Sequence, residues 1–232
     1  MINPRNLKKF VEATKCNLLF GEDNLKSVKK LFLSAIERDE NKYQQFEASL
    51  PNLKEALRAD LKFFMESDPA ADSEEEILLA YPGYKAISSY RIAHEIHKLG
   101  YKLQARTITE GAHSITGIDI HPASQLGVPL FIDHGTGIVV GETTISGKNV
   151  KIYQGVTLGA LSLKDGSKIK GVKRHPTIGN NVIIYAGASI LGDVTIGDDV
   201  TIGSNVFITE SIPSNVKVTF SKPSLVITEN KR

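Results

Sequence analysis

Ile178, Ile184, Ile190, Ile196, Ile202 and Ile208 stand six residues apart. A helix repeats its apolar face every 3.6 residues and a strand every 2, so neither accounts for a six-residue period held over such a length. The period is that of a parallel β-helix, in which each hexad makes one short strand and one turn and three hexads close a triangular coil. The repeating isoleucine points inward and stacks on its equivalents in neighbouring coils. Gly179, Gly197 and Gly203, with Asn180-Asn181, Asp198-Asp199 and Ser204-Asn205, read as the turn chemistry. The same spacing runs earlier through Ile120, Leu126, Ile132 and Ile138, and Val150 and Val156 keep the frame after Thr144 fills one slot.

Between Val156 and Ile178 the frame is lost for 22 positions, not a multiple of six, so an irregular loop leaves the coil at about 158–176. That loop carries Lys164, Lys168, Lys170, Lys173 and Arg174 against the one acid Asp165. A long loop in a compact repeat domain is more often functional than not.

Residues before 117 follow a different grammar. Seventeen of the 19 glycines lie between Gly100 and Gly203, and the glycine-poor first half reads as helices. Tyr90, Ile92, Ala93, Ile96 and Leu99 share one apolar face ahead of the stop at Gly100. Pro51 reads as the first position of a helix over 51–65 with Leu53, Leu57 and Leu61 inward, and 24–38 reads as another helix. SDPAADSEEE breaks the pattern, its carboxylates suiting the start of the next helix. The expected organisation is α+β: an α-helical oligomerisation domain over 1–116, a catalytic β-helix over 117–213, and a tail over 214–232.

Bulk properties name no partner. A net charge of +2 with no long basic run argues against nucleic acid, and no run approaches the ~20 apolar residues of a membrane span. One cysteine, Cys16, cannot form an intrachain disulfide, and the N-terminus lacks the apolar core of a signal peptide, so a cytoplasmic protein is expected.

Chemistry concentrates in FIDHGTGIVVGET. His94 and His97 lie three apart, unlike the HExxH of zinc proteases, and read as structural; His113 and His121 flank the domain junction and read as packing or capping. His134 and His175 instead sit beside charged residues, in Asp133-His134-Gly135 and Arg174-His175-Pro176. A neutral imidazole can take a proton from a hydroxyl at cellular pH, and a carboxylate on its other nitrogen fixes the tautomer. Neighbours on a strand point to opposite faces, which makes Asp119 the better partner for His134 and leaves Asp133 to face a substrate.

Several segments together resemble the serine O-acetyltransferases: DPAA (68–71), SYRIAH (89–94), TGIDIHPA (116–123), FIDHGTGIVVGET (131–143), YQGVTLGALSL (153–163) and KRHPTIGNNVIIYAGASILG (173–192). The resemblance implies a left-handed parallel β-helix, three chains packed side by side with active sites between them, and in many members a pairing of trimers through the N-terminal helices. It implies His134 as general base and Asp119 as its partner, Asp68 and Asp133 on the ammonium of serine, and Arg174 and His175 on its carboxylate, with Glu142 a secondary member. Acetyl-CoA is the implied co-substrate, with no permanently bound cofactor or metal; it would lie near Gly159, Ala160, Ala186 and Gly187. Cysteine is an implied feedback inhibitor. Some members end in an isoleucine that inserts into cysteine synthase; this sequence runs VKVTFSKPSLVITENKR instead, so the resemblance does not extend to that association. Competing expectations are the same chemistry on another amino acid or a sugar hydroxyl, and a zinc enzyme using His121, His134 and His175 across a trimer interface.

Overall fold

The computed structural model describes residues 3–21, 24–162 and 171–221. Among the described residues six helices precede fourteen short strands: α1 (Pro4–Leu19), α2 (Leu25–Ala35), α3 (Glu40–Ser67), α4 (Glu74–Ala80), α5 (Pro82–Lys98) and α6 (Lys102–Thr116), then β1 (Asp119–Ile120) through β14 (Lys217–Val218). Lys164, Lys168 and Lys170 of the expected loop, and the tail beyond Ser221, lie outside the described residues.

Helix starts follow capping chemistry. Asn3 accepts from the Arg5 N–H ahead of Pro4, Asp39 accepts from Asn41 and Lys42, and Ser73 accepts from Glu76 with Glu74, Glu75 and Glu76 filling the first turn of α4. Pro51 does not begin a helix. It sits inside α3, whose 28 residues carry one buried stripe through Tyr43, Phe46, Leu50, Leu53, Leu57, Leu61 and Phe64. Burial along that stripe outweighs the one backbone bond a proline forfeits. Phe10, Phe32, Tyr43 and Phe46 cluster between α1, α2 and α3, with ring centroids 5.3–6.0 Å apart. Phe64 carries the core across to the solenoid, 4.7 Å from the ring of Phe131.

The strands form three parallel sheets, one per face of a triangular prism. Face A stacks β1, β4 (Val139–Val140), β7 (Thr157–Gly159), β10 (Ser189–Leu191) and β13 (Phe207–Ile208). Face B stacks β2 (Gln125–Leu126), β5 (Ile145–Ser146), β8 (Thr177–Ile178) and β11 (Thr195–Ile196). Face C stacks β3 (Leu130–Asp133), β6 (Val150–Tyr153), β9 (Ile183–Ile184), β12 (Thr201–Ile202) and β14.

Register corrects the six-residue frame. Ile120 pairs with Val140, Val140 with Leu158, Leu158 with Ile190 and Ile190 with Ile208. The inward strand column therefore passes from Ile132 to Val140, while Ile138, Thr144, Val150 and Val156 belong to a second buried column two residues earlier in each hexad. Both columns repeat every six residues, so a two-residue insertion between Ile132 and Val140 is invisible in the spacing alone. The insertion falls in the segment that carries Asp133 and His134.

Turn chemistry is also divided differently from the sequence reading. The left-handed positions are Asn181, Asp199 and Asn205 (φ 56°, 56° and 59°), not the glycines before them. Gly179 is required because a Cβ there would stand 2.7 Å from the carbonyl carbon of Gly197 in the next coil. Asn149, Asn181 and Asp199 continue the turn as a side-chain ladder at 2.8 and 3.0 Å.

Candidate active site

Where face C turns into face A, β3 ends at Asp133 and the chain enters the left-handed region at His134 (φ 54°), Gly135 (φ 87°) and Gly137 (φ 82°). Gly135 suits its φ, which L side chains rarely adopt, and a Cβ there would also crowd the side chains of Ile118 and Ile132. This tight turn over the core lifts the His134 side chain into solvent, 70% exposed, with Nδ1 3.5 Å from Asp133 Oδ1. The expectation that Asp133 and His134 point to opposite faces of a strand does not hold, because His134 is past the strand end.

Asp68, at the C-terminal cap of α3, completes this corner. Its Oδ1 accepts from the Ala70 N–H at 2.8 Å and its Oδ2 from the Tyr81 hydroxyl at 2.8 Å. Burial, the hydrogen bond to Asp68 and the nearby Glu76 and Asp133 push the Tyr81 phenol up to about 12, so it stays a donor. Burial and the charge of Asp133 likewise raise the Tyr153 phenol, whose ring stacks on Tyr185 at 5.2 Å. Among the described residues Asp68 makes no ion pair, and Asp133 pairs only with His134. Two unneutralised carboxylates beside an exposed imidazole suit a cationic ligand group.

A second polar group sits at the next corner, where face A turns into face B. Arg174 Nη2 donates to Glu142 Oε2 at 2.5 Å, which holds the Glu142 carboxyl below the usual carboxylate range. Thr143 organises the corner: its Oγ1 accepts from the N–H groups of Arg174 (3.0 Å) and His175 (3.1 Å) and meets His175 Nδ1 at 2.8 Å. The Thr143 N–H donates to the same Nδ1 at 3.1 Å, so Nδ1 is an acceptor and a neutral ring carries its proton on Nε2. Burial first, then Arg174 and Lys173, lower the His175 imidazole to about 4. The ring packs against Gly141, where a Cβ would stand 2.0 Å from Cδ2.

Asp119, on face A, does not meet His134. Its Oδ1 accepts from Arg106 Nη1 at 3.2 Å, and Arg106 also pairs with Glu110. Oxygen and nitrogen atoms of Glu110, His113 and Asp119 lie within 4.8 Å of one another, but the Arg106 guanidinium already bridges the two carboxylates. Of the three histidines of the zinc alternative, His134 is at the first corner while His121 and His175 face the second, where burial keeps both imidazoles below their usual range; their convergence would require two chains. His94 Nδ1 bonds to Pro122 O at 2.8 Å, and the ring of His121 caps the Ala123 N–H at 3.1 Å. The four small residues divide as well: Ala186 and Gly187 lie at the face C to face A turn, and Gly159 and Ala160 at the far end of face A. Tyr81, Arg106 and Thr143 escape the sequence reading, because each acts on residues distant in the chain or through the backbone.

A prism of hexads with polar groups at its turns defines the chain as a hexapeptide-repeat transferase, and residues 175–210 match the bacterial transferase hexapeptide model of six repeats. Residues 24–89 match the model of the serine acetyltransferase N-terminal region. The serine acetyltransferase of Helicobacter pylori is 45% identical over 170 residues, 73% of this chain and 96% of that protein. A plasmid-encoded serine acetyltransferase of Synechococcus elongatus is 50% identical over 174 residues, 74% of this chain; the chain spans about half (54%) of its length. Solved structures agree. Serine acetyltransferase isoform 3 of Entamoeba histolytica, in complex with cysteine, superposes with TM-score 0.83 at 34% identity, covering 95% of this chain and 84% of that one. The Brucella abortus enzyme in complex with coenzyme A gives 0.71 at 36% identity, covering 78% and 70%. The chain belongs to the serine acetyltransferase family, a family of acyltransferases.

Proposed function

We propose that this chain transfers the acetyl group of acetyl-CoA to the hydroxyl of L-serine, giving O-acetylserine for cysteine synthesis. The observation that carries the reading is the pair of corners of opposite character. Asp68 and Asp133 offer carboxylates to an ammonium beside the exposed His134, and Arg174 with the neutral His175 offers donors to a carboxylate. An amino acid zwitterion needs both. In one chain the two groups occupy different corners of the prism, so a complete site forms when the first corner of one chain meets the second corner of a neighbour, in a homotrimer or a dimer of trimers.

His134 then removes the proton of the serine hydroxyl as its oxygen attacks the thioester carbonyl. Collapse of the tetrahedral intermediate expels the CoA thiolate, which takes the proton back from the imidazolium, and no acetyl-enzyme forms. Asp133 already stands beside Nδ1, while Asp119, the partner implied by family resemblance, is paired with Arg106 in this chain. CoA lies along the groove between neighbouring solenoids, past Gly159, Ala160, Ala186 and Gly187. Cysteine, a serine isostere with a thiol, competes for the same charges. The neighbouring structures in complex with cysteine and with coenzyme A support the choice of these two ligands.

The test is release of CoA thiol from acetyl-CoA with L-serine, homoserine or a sugar as acceptor. A saturable rate with serine and background with the sugar is expected; no rate above background with serine overturns the assignment.

A further inference from the structure

Lys15 lies on the buried side of α1, in line with Leu7, Val11 and Leu18, and is only 9% exposed. Among the described residues its ammonium donates to Ser89 Oγ alone, at 3.0 Å, and that hydroxyl in turn donates to the Lys85 carbonyl at 2.8 Å. An ammonium has three donors, and a hydroxyl brings no compensating charge. Among the described residues no carboxylate comes within ion-pairing distance of Lys15; Glu12 acts on it from further off, and Lys85 adds positive charge. Burial accordingly lowers the amine to about 8.

The same lysine lines a cleft of about 340 Å³ between α1, α5 and α6. Leu7, Val11, Ile108 and Ala112 form its apolar walls, with Ser89 and Lys85 beside Lys15. The remaining charged lining is Arg5, Lys8 and Glu12, leaving an excess of positive charge. A cleft of this size with apolar walls and a few convergent polar groups has the make-up of a small-molecule site. It is separate from both polar corners of the prism, whose residues take no part in it.

We propose that this cleft binds an amphipathic monoanion, a carboxylate on an apolar chain, with the carboxylate on the Lys15 ammonium that Ser89 holds in place and the chain along Leu7, Val11, Ile108 and Ala112. With one of its three donors on Ser89, the buried ammonium keeps two for the two oxygens of a carboxylate, whereas a phosphate dianion requires more donors than the floor of the cleft supplies. The apolar walls exclude a small hydrophilic anion as the best ligand.

Octanoate is the probe, titrated into the intact protein by calorimetry, with 1-octanol and inorganic phosphate as comparisons. Saturable octanoate binding is expected, with octanol and phosphate each at least about tenfold weaker, because a charge-assisted bond is lost in one case and the apolar contacts in the other. Lys15→Met should weaken octanoate about tenfold or more, and Ser89→Ala, which keeps the lysine, should weaken it several-fold. Octanol binding as tightly as octanoate, or octanoate binding unaltered in both variants, overturns the proposal. So does an absence of saturable binding at millimolar octanoate, including the case in which a second copy of the chain covers the cleft. Serine-dependent CoA release is read separately, so failure of either assignment is visible without the other.

Discussion

Arg91→Met tests what holds the helical domain to the solenoid. Asp60 is fully buried on α3 and Arg91 nearly so on α5. Arg91 gives Asp60 a two-pronged contact at 2.5 and 2.9 Å and donates to the carbonyls of Leu126 (3.0 Å) and Gly127 (2.9 Å), while the Leu130 N–H donates to Asp60 at 2.9 Å. The pair thus ties two helices to the coil that leads into Asp133. Burial pushes the Asp60 carboxyl upward, and Arg91 opposes it. Removing the guanidinium leaves a buried carboxylate with one donor, a loss of roughly 3–5 kcal/mol. Asp60 can escape by taking a proton, which at pH 7 costs about 4 kcal/mol from a normal carboxylate pKa, so the two routes agree in size. For a chain of this length that is a fall in Tm of about 6–20 °C. Thermal unfolding followed by circular dichroism reads it. The deficit should shrink as the pH falls from 7 towards 4.5: the folded-state pKa of the variant's Asp60 lies above the unfolded value, so protonation favours the folded state. Asp60→Leu combined with Arg91→Met should cost less than Arg91→Met alone, because no charge is left stranded. A loss under about 1 kcal/mol, or a double variant worse than the sum of its parts, refutes the reasoning.

Other perturbations probe the second corner. Gly141→Ala drives a methyl into the His175 ring and should raise the KM for serine several-fold while lowering Tm little, read by steady-state kinetics beside a thermal scan. Arg174→Ala should raise the KM for serine with little change for acetyl-CoA; equal loss for both counts against a carboxylate role. His175 is neutral in the folded protein down to about pH 4 but titrates near 6.5 when unfolded, so the unfolded state takes up the extra proton between these values. Its share of stability is intact above about pH 6.5 and declines as the pH drops towards 4, and His175→Asn should flatten that part of the Tm–pH curve.

Ile178 to Ile208 made the solenoid legible, because an inward column in a coil of three hexads has no other periodic source. Legibility ended where two columns share one period. Ile132 and Ile138 are six apart yet belong to different columns, and only the pairing of Ile120 with Val140 reveals the inserted residues. His134 stood out from its charged neighbour and its glycines, but the lift that exposes it is a left-handed turn, which strand alternation cannot foresee. Asp119 illustrates the opposite limit: its contact with Arg106 comes from a helix packed across the domain junction. Pro51 misled because its preference for a first helical turn is local, whereas the stripe from Tyr43 to Phe64 is set by tertiary burial.

The central claim is that each chain carries two incomplete halves of the site, on different corners of the prism. Co-expression of His134→Ala and Arg174→Ala chains tests it, with CoA release measured at a serine concentration where each variant alone is nearly silent. If neighbouring chains complete each other, a random mixture contains both intact halves in about a quarter of its sites and regains about that share of wild-type activity. Activity no higher than the average of the two variants would show that both halves serve the same chain, and would contradict the account.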